Sequence, residues 1–291
     1  MNSQWQCIQQ NIGTWHGSFT QFSPEGKQIK DTPSVLTLEE TQLDEKMRLI
    51  LERSPEGSPP NVVTREFSYP GPAPSILFFE TGAFSQGSSQ WAAFGQFGAE
   101  MSIKVGGRRV RFVIMYGGSA DGTSELKYVT LIRESRPDGI PFDEPSLQIK
   151  QLVACFSGEA SILHADMSPM TTGHSQWQAR TINGGGVVLD SSEHGDPDSS
   201  FIQELSLSNN LLPERELSQA PILLKGDLTY QLMPLPHGAY CLLPQTIEKN
   251  IAFQLEVGWL RRDGERSRLI RYYDDRGVWT ASTLVEDRLA S

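Results

Sequence analysis

The chain has 291 residues, 38% of them hydrophobic and 21% charged, which is long for one compact domain, suits two of about 145 residues, and supplies apolar mass for folded cores. Lys and Arg number 25 against 35 Asp and Glu, a formal net charge of -10, which argues against a protein built to grip phosphate backbones. No apolar run approaches the roughly 18 residues that span a bilayer, and Met1 to Gly13 shows neither the basic nor the apolar region of a secretory signal.

In chain order, Trp5, Ile8 and Ile12 predict one apolar face of a short helix. Ser34 to Glu39 alternates with period two, and Glu39 to Arg53 reads either as partly helical or as two strands. Arg109 to Tyr116 is a strand with Val110, Phe112, Ile114 and Tyr116 on one face, and Lys127 to Arg133 is another. Gly117 to Gly122 reads as the hairpin turn between those two strands. Asn183 to Gly186 reads as a further hairpin turn, leading into a strand at Val187 to Leu189. Ala252 to Trp259, Arg268 to Tyr273 and Trp279 to Val285 complete the strands, with turns at Asp263-Gly264 and Asp274 to Gly277. Many short strands with frequent turns predict an all-β antiparallel sandwich or barrel.

The chain also repeats itself. An offset of 141 carries Trp15 onto Phe156, each two residues before a glycine, and Ser34 onto Ser175. Gly82-Ala83-Phe84 matches Gly238-Ala239-Tyr240, and Phe97 to Glu100 matches Phe253 to Glu256, both at 156. Arg109 to Tyr116 matches Arg266 to Tyr273 at 157, and Thr130 to Ile132 matches Thr283 to Val285 at 153. The jump from 141 to 156 falls near the polar stretch Ser191 to Ser200. Two copies of one fold are therefore predicted, residues 1–135 and 149–291, joined by a Pro-rich acidic linker at about 136–148.

Gly13-Thr14-Trp15 at the start of the first predicted strand resembles the calycin (lipocalin-like) superfamily. That resemblance implies two tandem up-and-down barrels, each closed by an aromatic residue, Trp15 or Phe156, with an arginine laid across it. Arg133 stands where that partner is expected in the first copy, and Glu286 stands there in the second. The set Trp15 to Gly26, Asp31 to Val35, Gly82 to Gly87, Phe97 to Glu100, Glu256 to Leu260 and Arg268 to Tyr273 resembles an uncharacterised two-domain calycin family of cyanobacteria. More distantly, a Glu followed by Arg-x-Arg is similar to the S-type phycobiliprotein chromophore lyases, which implies a bilin ligand and a phycobiliprotein acceptor as one alternative.

Candidate ligand contacts are Glu100, Arg109 and Arg111 in the first copy and Glu256, Arg266 and Arg268 in the second. Arginines in a barrel mouth would take ligand carboxylates by paired hydrogen bonds. The competing reading is cross-strand ion pairs on a solvated face, which alternation favours, because the Val110, Phe112, Ile114 and Tyr116 face is wholly apolar. Trp91 and Tyr273 are candidate aromatic lining of a ligand cavity, although core or interface packing is the commoner use of such residues. The five histidines have no metal-ligand spacing, and Cys7, Cys155 and Cys241 are odd in number and far apart. The cysteines fit neither a disulfide framework nor a zinc site and point to a reducing, cytoplasmic setting. No nucleophile motif or phosphate loop is present. The leading expectation is noncatalytic binding of a hydrophobic or amphipathic molecule, pigment or lipid-like, in a calycin barrel. A bilin-handling protein and a filled interaction module are the alternatives.

Overall fold

In a computed structural model of the chain, the described residues are 2–71, 73–182, 186–194, 222–225, 228–261 and 264–290. Among the described residues strands predominate, with almost no helix. Two units are distinguished: residues 1–88, 98–115 and 127–143 form one, and residues 89–97, 116–126 and 144–291 form the other.

Among the described residues one α-helix occurs, α1 (Gln4–Gln9), and it starts at a capping box. The Gln6 backbone N–H donates to the Ser3 hydroxyl, and the Ser3 backbone N–H donates to the Gln6 side-chain oxygen. Its buried face, Trp5, Cys7 and Ile8, packs with Trp15, Leu36, Leu38 and Met47. The first sheet runs through β1 (Gly13–Phe22), β2 (Gln28–Gln42), β3 (Lys46–Arg53), β4 (Asn61–Ser68), β5 (Ile76–Phe78), β6 (Phe84–Gly87), β7 (Gln96–Val105), β8 (Arg108–Gly118) and β9 (Ser124–Ser135). Glu39 to Arg53 is thus the end of β2, a turn and β3, the two-strand option. The second sheet comprises β10 (Cys155–His164), β11 (Thr171–Ile182), β12 (Gly186–His194), β13 (Ile222–Lys225), β14 (Leu228–Pro234), β15 (Ala239–Pro244), β17 (Phe253–Leu260), β18 (Glu265–Tyr273) and β19 (Trp279–Leu289). The short β16 (Thr246–Ile247) pairs with Ser124 and Glu125 of β9. Strands β11 and β12 pair antiparallel from Ile182 and Gly186 outward. The hairpin turn expected there, at residues 183–185, lies outside the described residues, as does most of the polar stretch 191–200.

Both sheets are meanders whose first strand pairs with their last. In the first the order is β4-β3-β2-β1-β9-β8-β7-β6-β5, and in the second it is β12-β11-β10-β19-β18-β17-β15-β14-β13. The closing pair needs an unusually close approach. A Cβ on Gly17 of β1 would lie 1.9 Å from the Arg133 carbonyl oxygen of β9, and one on Gly158 of β10 would lie 2.1 Å from that of Glu286 in β19.

Of the expected all-β tandem barrels, the described residues show the all-β antiparallel part: a curled half-barrel sheet and a second sheet. The first sheet is a curled half-barrel, and the path of its strands ends at β4 and β5. Closure is a long-range matter that strand periodicity does not encode. It depends on whether β4 and β5 meet, and β5 is only three residues long.

Candidate functional site

Arg109 and Arg111 of β8 are buried, and so is the apolar face behind them. Arg109 and Arg111 are 3% and 7% exposed, while Val110, Phe112 and Ile114 are fully buried. Period-two alternation therefore selects no solvated face on this strand. The expectation of exposed ion pairs is corrected: they are desolvated, and desolvated charges need partners with close geometry.

The central partner is Glu134 on β9, which is completely buried. Arg109 Nε donates to its Oε2 at 2.7 Å, Arg111 Nε to the same oxygen at 2.9 Å, and Arg111 Nη2 to its Oε1 at 2.7 Å. Arg111 Nη1 reaches Glu100 Oε1 on β7 at 2.6 Å, and the Gln86 amide holds the other Glu100 oxygen at 2.5 Å. Arg109 Nη1 donates to Asn11 Oδ1 at 3.0 Å, and Arg109 Nη2 is buried without a hydrogen-bond partner. Burial alone would raise the Glu134 carboxyl, but the Arg109 and Arg111 guanidiniums outweigh it and hold Glu134 below the usual carboxylate range. Burial lowers Arg109, with Glu134 opposing, whereas at Arg111 burial is outweighed by Glu134 and Glu100, which raise it.

Glu100, Arg109 and Arg111 of this network line a cavity of about 740 Å³ inside the curled sheet. Leu36, Leu38, Leu49, Leu51, Phe78 and Phe84 supply its apolar lining, and Arg65, Glu66 and Phe67 place β4 at its margin. Ile8 and Asn11 bring the N-terminal segment to it. Its polar or charged lining is Asn11, Arg65, Glu66, Gln86, Glu100, Arg109 and Arg111.

The second sheet repeats the network with different surroundings. Arg266 donates from Nε and Nη2 to both Asp287 oxygens at 2.9 and 2.7 Å. Arg268 Nη1 lies 3.5 Å from Glu256 and its Nη2 donates to Ser175 at 2.7 Å. The Arg266 guanidinium sits 3.9 Å from the Phe156 ring centre and 4.4 Å from that of Trp177. Tyr240 packs its ring against Gly258, and its hydroxyl donates to Glu256 at 3.5 Å.

Residues 1–139 match the family described as domain of unknown function (DUF3598), N-terminal, and residues 143–289 match that of the biogenesis factor required for ATP synthase 1, C-terminal domain. A solved structure from Nostoc punctiforme PCC 73102, a protein of unknown function from the DUF3598 family, is 30% identical over 100% of both chains with a TM-score of 0.81. The chain belongs to the DUF3598 family. No curated protein matches it. The expected two-part family with a cyanobacterial member of unknown function is what the comparisons support. Among the described residues of the DUF3598 chain, no helix is long and apolar enough to cross a membrane.

Several predicted site residues of this DUF3598 protein fall together. Glu100, Arg109 and Arg111 are on the cavity wall, while Glu256, Arg266 and Arg268 form the matching buried network. Trp91 and Tyr273 lie elsewhere and do not line that cavity. Trp91 donates from its indole to the Ser124 hydroxyl at 2.9 Å. Tyr273 stacks on Phe253 at 4.7 Å and accepts from Arg271 at 2.7 Å.

Arg133 does not cover Trp15. The register pairs Ser18 with Arg133 and His16 with Ser135, so Arg133 shares a face with Ser18 and Thr20, to which it donates at 2.8 and 2.9 Å. Trp15 faces the other way, and its ring is met by Arg109 at 4.4 Å and Arg136 at 4.9 Å. Such contacts contribute about 0.5–2 kcal/mol each. In the second sheet, where the position aligned with Arg133 is Glu286, Arg266 takes the arginine's place over Phe156.

Glu134 and Asp287, the hubs of the two networks, were not singled out from the sequence. The signal was present: the offset of 153 that aligns β9 with β19 carries Glu134 onto Asp287.

Proposed function

We propose that this chain is a noncatalytic binding protein that holds a hydrophobic or amphipathic small molecule within its N-terminal half, and that residues 1–135 and 149–291 are two related calycin-like halves. The observation that carries the reading is the cavity of about 740 Å³, apolar along Leu36, Leu38, Leu49 and Leu51 and polar at Glu100, Arg109 and Arg111. Native mass spectrometry of protein purified from its own host tests it. A retained mass is expected, reduced in Leu51→Phe, which narrows the cavity. Protein that returns only the bare chain mass, and takes up no apolar ligand added afterwards, overturns the proposal.

A second reading rests on the match of residues 143–289 to the C-terminal domain of a biogenesis factor required for ATP synthase. On that reading the C-terminal half contacts components of a complex under assembly. Affinity purification from the host, with and without residues 143–291, checks it. Recovery of the same ATP synthase subunits in both samples, or in neither, counts against it.

A further inference from the structure

Charge bookkeeping around the cavity carries the functional reading one step further, to the class of ligand. The two guanidiniums on the wall, Arg109 and Arg111, are matched by two carboxylates, Glu100 and Glu134. At the margin Arg65 stands beside Glu66. Lys104 and Arg136 also lie near Arg109 but keep contact with solvent, which screens them. The wall is therefore already neutral. A ligand carboxylate would add an uncompensated negative charge beside Glu100 and buried Glu134, and burying such a charge is expensive. Hydrogen-bonding capacity is nevertheless left over: Arg109 engages acceptors through Nε and Nη1, while Nη2 has none. Nη2 is closed off from the cavity as the side chain stands, so an oxygen acceptor without a formal charge meets it when the Arg109 guanidinium turns toward the cavity, and leaves the balance intact.

Resting on the binding reading above, we propose that the cavity takes a neutral amphiphile, a long apolar body ending in a carbonyl, ester or amide oxygen, and discriminates against the corresponding carboxylate. Arg109 donates to the acceptor, Glu100 and Glu134 exclude the anion, and the leucine wall holds the chain.

The test is a matched set of ligands: dodecanoic acid, methyl dodecanoate and dodecane, titrated at pH 7 into the intact wild-type chain and into Glu100→Gln. In wild type the ester is expected to bind about tenfold or more tighter than the acid, and tighter than dodecane. Glu100→Gln removes one negative charge and strands one guanidinium charge, so the acid should gain about tenfold relative to the ester. Acid binding as tight as ester in wild type overturns the proposal while leaving cavity binding intact. An acid-to-ester ratio unchanged in folded Glu100→Gln does the same. Should that variant fail to fold, the wild-type ratio decides alone. If none of the three ligands binds, both this inference and the binding reading fall.

Discussion

The two sheets share a topology and a charged network, yet they surround that network differently. In the first, Trp15 pairs across β1 and β2 with Leu36, and Phe84 pairs across β6 and β7 with Ser102. In the second the same places hold Phe156 with Trp177 and Tyr240 with Gly258. Leu36 and Phe84 border open space, whereas Trp177 and Tyr240 close around Arg266 and Glu256. One arrangement of arginines and acids thus borders a cavity in one sheet and lies completely buried against aromatic rings in the other. What decides is the volume of two or three neighbours, not the charges themselves. The ends differ too: among the described residues the first path ends at β4 and β5, and the second at β12 and β13.

The largest test of this contrast removes the hub of each network. Asp287→Asn leaves Arg266 and Arg268 buried with one less charge to answer them, and should cost about 3–5 kcal/mol. Glu134→Gln should cost less, because its arginines border a cavity that water can enter. Urea unfolding of both variants checks the order, and equal losses would erase the distinction between core and wall. A Cβ on Gly258 would meet the Tyr240 ring at 2.1 Å, so Gly258→Ala should cost about 3 kcal/mol through overpacking. Ser102→Ala, at the matching place, should stay within about 1 kcal/mol in the same assay.

The third prediction concerns acid. Glu134 is held below its unfolded value, so its contribution is full above about pH 4.5 and fades as pH falls through the lower folded value. The melting temperature should therefore drop more steeply below about pH 4.5 in wild type than in Glu134→Gln, as followed by circular dichroism. The smallest effect belongs to Leu51→Phe, which fills part of the cavity and should move stability by less than about 1.5 kcal/mol while weakening uptake of apolar ligand.

Much of this arrangement was legible beforehand. Alternation found the strands from Ser34 and Arg109 onward, and collinear offsets brought Glu100, Arg109 and Arg111 into register with Glu256, Arg266 and Arg268. Alternation misled about Arg109 and Arg111 because β8 is buried on both sides, and the pattern then reports the polar face without saying whether it is wet. Arg133 is expected over Trp15 because counting along one strand does not fix parity across a pair. The β1–β9 register does, and it turns Arg133 away from Trp15. The open seam beside β4 was not legible, since no local pattern states which edges meet.

The close approach at Gly17 and Gly158 carries a consequence for how the chain acquires its structure. Each glycine sits where the first strand of a sheet meets the last, and in the first sheet Ser18 and Arg133 are 115 residues apart in the chain. The middle of each sheet is therefore built from its two ends. Strand β1 has β2 beside it early, but its other edge waits until β9 has been synthesised. Pairing over such a separation is slow to form, so a ribosome must release about 135 residues before the first network can assemble around Glu134. A nascent chain stalled before β9 would carry Arg109 and Arg111 without the carboxylate that makes their burial tolerable.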